Sequence, residues 1–166
     1  MRIHGLLSLV IGLGVVLTAV AAGAQAPAPP PAYGPAITLE MAKKVMAGSE
    51  AEAKKNNWNV VITILDSGGN LVMTHRLDGT QFGSIEVARE KAYSAVAFRR
   101  PTKVFQDLVA QGGANVRLLK LPGASVLEGG IPIVVDGKLV GAIGVSGVTS
   151  EQDAQIGRAG IESMSK

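Results

Sequence analysis

Apolar positions recur along this chain with two different periods, and the switches between them lay out its elements. From Thr38, a natural helix cap, Leu39, Ala42, Val45, Met46 and Ala53 fall on one side at helical spacing, with lysines and glutamates opposite. This pattern predicts a helix ending near Asn56-Asn57. Trp58 to Leu65 is apolar on both faces, as a strand in the middle of a sheet is. The turn formers Asp66-Ser67-Gly68-Gly69-Asn70 lead to a partner strand, Leu71 to Leu77. On it Leu71, Met73, His75 and Leu77 share one face and Val72, Thr74 and Arg76 the other.

Helical spacing returns from Ser84 to Phe98, where Ile85, Ala88, Ala92 and Val96 line one side and Glu86, Arg89, Glu90 and Lys91 leave the others polar. Pro101 interrupts this helix and suits the start of a short one, Thr102 to Val109, ended by Gly112-Gly113. Leu118 to Gly130 reads as irregular. Two apolar strands follow, joined by Asp136-Gly137, a dipeptide suited to the positive φ at both centres of a type I′ turn. The return strand carries Gly141, Gly144 and Gly147, which invite close approach by a backbone or a flat ligand. Thr149 or Ser150 caps a last helix, Glu151 to Met164. The order α-β-β-α-α-β-β-α with tight hairpins predicts an α/β (α+β) fold, an antiparallel sheet of about five strands flanked by helices in a profilin-like α/β/α sandwich.

Ahead of this single domain (37–166) the pattern is different. Residues 1–24 have the form of a secretory signal: Arg2, an apolar run from Leu6 to Val20, and the small residues Ala22-Gly23-Ala24 at the cleavage site. The apolar run falls short of a bilayer-spanning helix and contains Gly12 and Gly14, so no stable membrane anchor is expected after cleavage. The expected destination is the periplasm or the exterior of a bacterium. Residues 25–36 hold five of the eight prolines among alanines, which predicts an extended linker rather than a packed element.

Charge and composition narrow the chemistry. The formal charge is +3, its lysines and arginines are scattered among carboxylates, and aromatic residues make up 4% of the chain. No basic stripe or base-stacking surface follows, so nucleic acid is not an expected partner. With no cysteine, disulfides, thiolate nucleophiles and thiolate ligands are excluded.

Four segments match a known family in order and spacing. They are Leu65-Asp66-Ser67-Gly68-Gly69-Asn70-Leu71-Val72, then Arg76-Leu77-Asp78-Gly79-Thr80, then Glu90-Lys91-Ala92-Tyr93-Ser94-Ala95 with Phe98-Arg99-Arg100-Pro101-Thr102, and last the glycine-rich hairpin followed by Gln152-Asp153. Over about Ile37 to Met164 the chain resembles the GlcG/HbpS-like family, and it is also similar to the C-terminal domain of PduO-type corrinoid adenosyltransferases. The resemblance implies a small ligand-binding protein that forms homo-oligomers, with haem or a related tetrapyrrole as the ligand. It does not fix an activity, because similar members include haem binders, proteins of glycolate metabolism and domains of corrinoid enzymes.

His75 is the one histidine outside the signal, and a neutral imidazole is the commonest protein ligand of haem iron. It is the metal-ligand candidate; the plainer reading is a histidine satisfied by a backbone carbonyl. In the family the Pro-Thr pair lies at the bound tetrapyrrole, which makes Thr102 a candidate, against simple helix capping. Arg99 and Arg100 suit propionate clamping, against an exposed helix end whose dipole they complement. Arg76 completes the cofactor-binding set.

Met46 and Met73 sit at core spacing, Tyr93 suits a half-buried ring, and Glu86 and Glu90 a solvated face. The Glu-x-x-Glu iron pair of some haem-binding relatives is missing, and no serine has a general base other than His75. No hydrolase follows, and the sequence favours binding over catalysis. The alternatives are an enzyme or accessory protein for a small hydroxy-acid or corrinoid, with Arg76, Asp78 or Arg99 converging on Thr102 in a deep pocket, and a structural module whose glycine strand packs on a neighbour.

Overall fold

Helix α1 (Leu39–Lys55) begins where its cap requires, with the Thr38 hydroxyl accepting from the Met41 amide at 3.2 Å. In this computed structural model, which describes residues 29–165, it is followed by β2 (Val61–Asp66) and β3 (Leu71–Arg76), then α2 (Ser84–Ala97) and α3 (Lys103–Ala110). A 3-10 segment (Gly113–Lys120), β4 (Gly130–Val135), β5 (Lys138–Ser146) and α4 (Ser150–Glu162) complete the domain. The expected signal peptide lies outside the described residues. No helix among the described residues is long and apolar enough to cross a membrane.

β4, β5, β2 and β3 lie side by side in that order, each pair antiparallel. The hairpin turns as its dipeptide requires, with φ of 49° at Asp136 and 74° at Gly137. α1 and α4 cover one face of the sheet over Ile62, Ile64, Ile133, Ile143 and Val145. α2 covers the other over Leu65, Leu139 and Ala142. The expected three-layer α/β/α sandwich with a five-stranded sheet is therefore present.

The structure departs from the sequence reading, or narrows it, at four places. The linker does not stay free to its end: Ala32–Tyr33 form a short strand, β1, parallel to Lys138–Leu139, and the Gly34 amide donates to the Leu139 carbonyl at 2.8 Å. β2 starts at Val61 rather than Trp58, because Asn57 takes a φ of 56° and the Trp58 amide turns back to the Ala53 carbonyl at 2.9 Å, closing α1 first. At Gly144 the close approach comes from the chain's own backbone, since a Cβ there would run into the Ala88 carbonyl and the Ala92 amide of α2.

Lys91 makes the fourth. It does not face solvent: it is 2% exposed, and its ammonium donates to Asp153 Oδ2 at 2.8 Å and to the Val145 carbonyl at 2.9 Å. This pair ties α2, β5 and α4 together beneath Gly129, whose missing side chain leaves room for the Lys91 ammonium. Burial pushes the Asp153 carboxyl up, against the pull of the Lys91 ammonium.

Candidate functional site

His75 stands on β3, the strand at one edge of the sheet, directly opposite Ile62 of β2. Opposed residues of an antiparallel pair share a face, and Ile62 belongs to the core under α1, so the imidazole must turn toward α1. There it meets Glu50, which follows Met46 by one helical turn on the buried stripe of α1. His75 Nδ1 and Glu50 Oε1 are 2.6 Å apart. The imidazole is 45% exposed, and Glu50 engages Nδ1, which leaves Nε2 as the ring nitrogen outside this pair. Lys54 lies 3.5 Å from the second Glu50 oxygen. Hydrogen bonding with His75, then the Lys54 ammonium, hold the Glu50 carboxyl below the usual carboxylate range although partial burial opposes them.

Beside this dyad a cleft of about 440 Å³ opens between the end of α1 and the end of β3. Ala53, Trp58 and Leu77 give it an apolar wall, and Lys54, Arg76 and Asp78 bring charge to it. Its volume falls inside the range of about 300–1,000 Å³ typical of small-molecule sites.

Arg99, Arg100 and Thr102 lie elsewhere. Thr102 is fully buried; its hydroxyl accepts from the Gly130 amide at 3.0 Å and its own amide donates to the Gly130 carbonyl at 3.0 Å. The hydroxyl makes no cap hydrogen bond to α3. It fastens the α2–α3 corner to β4, at the opposite edge of the sheet from β3, a span of about 14 Å at one strand spacing per step. Arg99 holds the N-terminal segment, with Nη1 3.3 Å from the Pro31 carbonyl and its guanidinium 5.3 Å from the centre of the Tyr33 ring. Arg100 folds back on the Phe98 carbonyl at 3.1 Å and over the Phe105 ring at 5.9 Å. The nearest cleft to Thr102, lined by Pro101, Lys103, Glu128, Gly129 and Gly130, measures about 190 Å³.

Of the sequence candidates, Arg76 lines the cleft at the end of β3, His75 turns to Glu50 of α1 without lining it, and the other three lie elsewhere. Arg76 and Asp78 do share a cleft, but Arg99 and Thr102 do not line it. The sequence reading missed Glu50 as the partner of His75, and Lys54 and Trp58 as lining of the cleft. Glu50 falls one helical turn after Met46, but its pairing with His75 spans 25 positions, and the cleft at Trp58 depends on a loop path; periodicity encodes neither. A third cleft, about 380 Å³, lies between Arg89, Glu90 and Tyr93 of α2 and Gly123 to Ser125. Among the described residues no three histidine, aspartate or glutamate side chains stand close enough to hold a bare metal ion.

Comparison with known proteins bears on this geometry. A family model described as "Haem degrading protein HbpS-like" matches residues 37–162. The chain is 38% identical to Protein GlcG of Escherichia coli K12 over 110 residues, covering 66% of this chain and 81% of that protein. It is 36% identical to the corrinoid adenosyltransferase PduO of Salmonella typhimurium LT2 over 104 residues, but spans just 31% of that protein. Among solved structures, HbpS of Streptomyces reticuli in a double-mutant form superposes with a TM-score of 0.71 at 32% identity, covering 86% of this chain and 97% of the other. A PduOC–haem complex superposes with a TM-score of 0.70 at 28% identity, covering 77% and 94%.

Proposed function

The chain belongs to the HbpS-like family, and from that premise we propose that it is an exported protein binding haem or a related tetrapyrrole on its α1–β3 side. The observation that carries the reading is His75: a half-exposed imidazole with Nε2 open, beside a cleft that carries Lys54 and Arg76. Its donor set suits a macrocycle better than a free ion. A tetrapyrrole brings four nitrogens of its own and needs one axial base, cations for its carboxylates and an apolar wall. His75 supplies the base, Lys54 and Arg76 the cations, and Trp58 and Leu77 the wall. Bound iron would supply redox and ligand-exchange chemistry of its own. The haem-bound relative PduOC, similar across 77% of this chain, supports the ligand class.

Arg99 and Thr102 are already engaged within the chain, which favours the β3 side over the α2–α3 corner. Residues 1–24 direct export to the periplasm or beyond, and N-terminal sequencing of the exported protein locates the cleavage. The test of binding is a hemin titration of residues 25–166 followed at the Soret band. A saturable, stoichiometric shift that is lost in His75→Ala and weakened in Arg76→Ser is the expected result. A shift that survives His75→Ala moves the site to Thr102 and the arginines. A shift no larger than that of an unrelated apolar protein overturns the proposal.

A further inference from the structure

We propose that Glu50 is the positioning residue of His75: it fixes the ring so that Nδ1 carries the proton and Nε2 faces outward as the free base. The inference rests on the tetrapyrrole reading for its purpose, but its geometry is independent of any ligand. An exposed imidazole on an edge strand has two tautomers and a rotating ring, and water favours the one with the proton on Nε2, which is the wrong one for an outward ligand. A carboxylate 2.6 Å from Nδ1 reverses that preference, because it accepts a hydrogen bond from Nδ1–H and has no proton to donate. Glu50 can play this part since its backbone is fixed by α1, its side chain is 24% exposed, and Lys54 at 3.5 Å holds its other oxygen. A carboxylate behind a ligating histidine sets the ring orientation and raises the basicity of the outward nitrogen. Glu50 touches neither ligand nor cleft; it acts through His75.

The alternative is that Glu50 and His75 merely pin β3 to α1. Three variants separate the two roles: Glu50→Gln keeps the shape but loses the charge and can donate as well as accept, Glu50→Asp keeps the charge on a shorter arm, and Glu50→Ala removes both. Nitrogen-15 NMR of the ligand-free protein at alkaline pH reads the tautomer directly. The expected result is a proton on Nδ1 in the wild type and in Glu50→Asp, and a shift toward Nε2–H in Glu50→Ala and in Glu50→Gln, whose amide can donate to Nδ1. In the hemin-loaded protein, Glu50→Ala should bind about 10-fold more weakly or worse. Glu50→Gln should bind with a more positive reduction potential than the wild type, and Glu50→Asp should return toward it. A wild-type ring protonated on Nε2, or a Glu50→Ala ring with unchanged tautomer, overturns the proposal. So does an unchanged potential in Glu50→Gln when hemin is bound through His75. If wild type takes up no hemin, the function proposed above fails, while the tautomer measurement still decides the role of Glu50.

Discussion

Lys91 shows how much one side chain can alter the picture. Its place on a helix among Glu86, Arg89 and Glu90 marks it as solvated by pattern, yet it is buried and paired with Asp153 at 2.8 Å. Helical periodicity misses it because a lysine reaches far beyond its Cβ, and the partner comes from a helix 62 positions later. Removing one member of a buried pair leaves an unpaired charge, so Lys91→Met should destabilise the domain by about 3–5 kcal/mol. Urea denaturation checks this, and the double variant Lys91→Met/Asp153→Leu should recover most of the loss. Asp66 gives a second residue-level test. Burial pushes its carboxyl up, but donors from Asn70, Gly68 and Gly69 outweigh this and hold it below its ordinary value of 3.8. The unfolded chain therefore binds this proton more readily than the folded one. The stabilisation is complete above that value and disappears as pH falls through the folded one. Asp66→Ala should cost about 1 kcal/mol at neutral pH and flatten the acid limb of the stability curve, read by denaturation at stepped pH. His75 itself was legible as chemistry from its residue type, but the carboxylate of Glu50 beside it was not, because the contact spans 25 positions.

At the scale of elements the sequence was a good guide where a local rule governs. Thr38 caps α1, the Thr149–Gln152 capping box opens α4, and Asp136-Gly137 turns the hairpin. It was a poor guide where an element's partner is distant. Nothing in Pro29 to Tyr33 announces that Ala32–Tyr33 will lie along β5, nor that Arg99 will close over them. Removing residues 1–36 should therefore cost about 1–2 kcal/mol against a form beginning at residue 29, seen as a lower melting temperature. The glycine strand gives a sharper contrast. At Gly144 an added methyl meets the backbone of α2, whereas at Gly83 nothing lies within 4 Å. Gly144→Ala should cost about 1–3 kcal/mol or more by forcing α2 away from the sheet, and Gly83→Ala should be close to neutral. Thermal unfolding of the two variants side by side decides it.

For the molecule as a whole, the layer order was legible because two hairpins and four amphipathic helices leave few ways to bury their apolar faces. The assembled site was not, since its parts meet across the α1–β3 gap while the family words Pro101-Thr102 lie at the other edge of the sheet. A homo-oligomer is the expectation that the family resemblance carries, and light scattering on the purified domain should give a mass above that of one chain. The central claim is the location of the ligand, and amide NMR of the labelled protein with substoichiometric hemin tests it most directly. Paramagnetic broadening should centre on Leu71 to Arg76 of β3, on Glu50 and Lys54 of α1 and on Trp58. Broadening centred instead on Pro101 to Lys103 and Gly130, with β3 unaffected, would contradict the account.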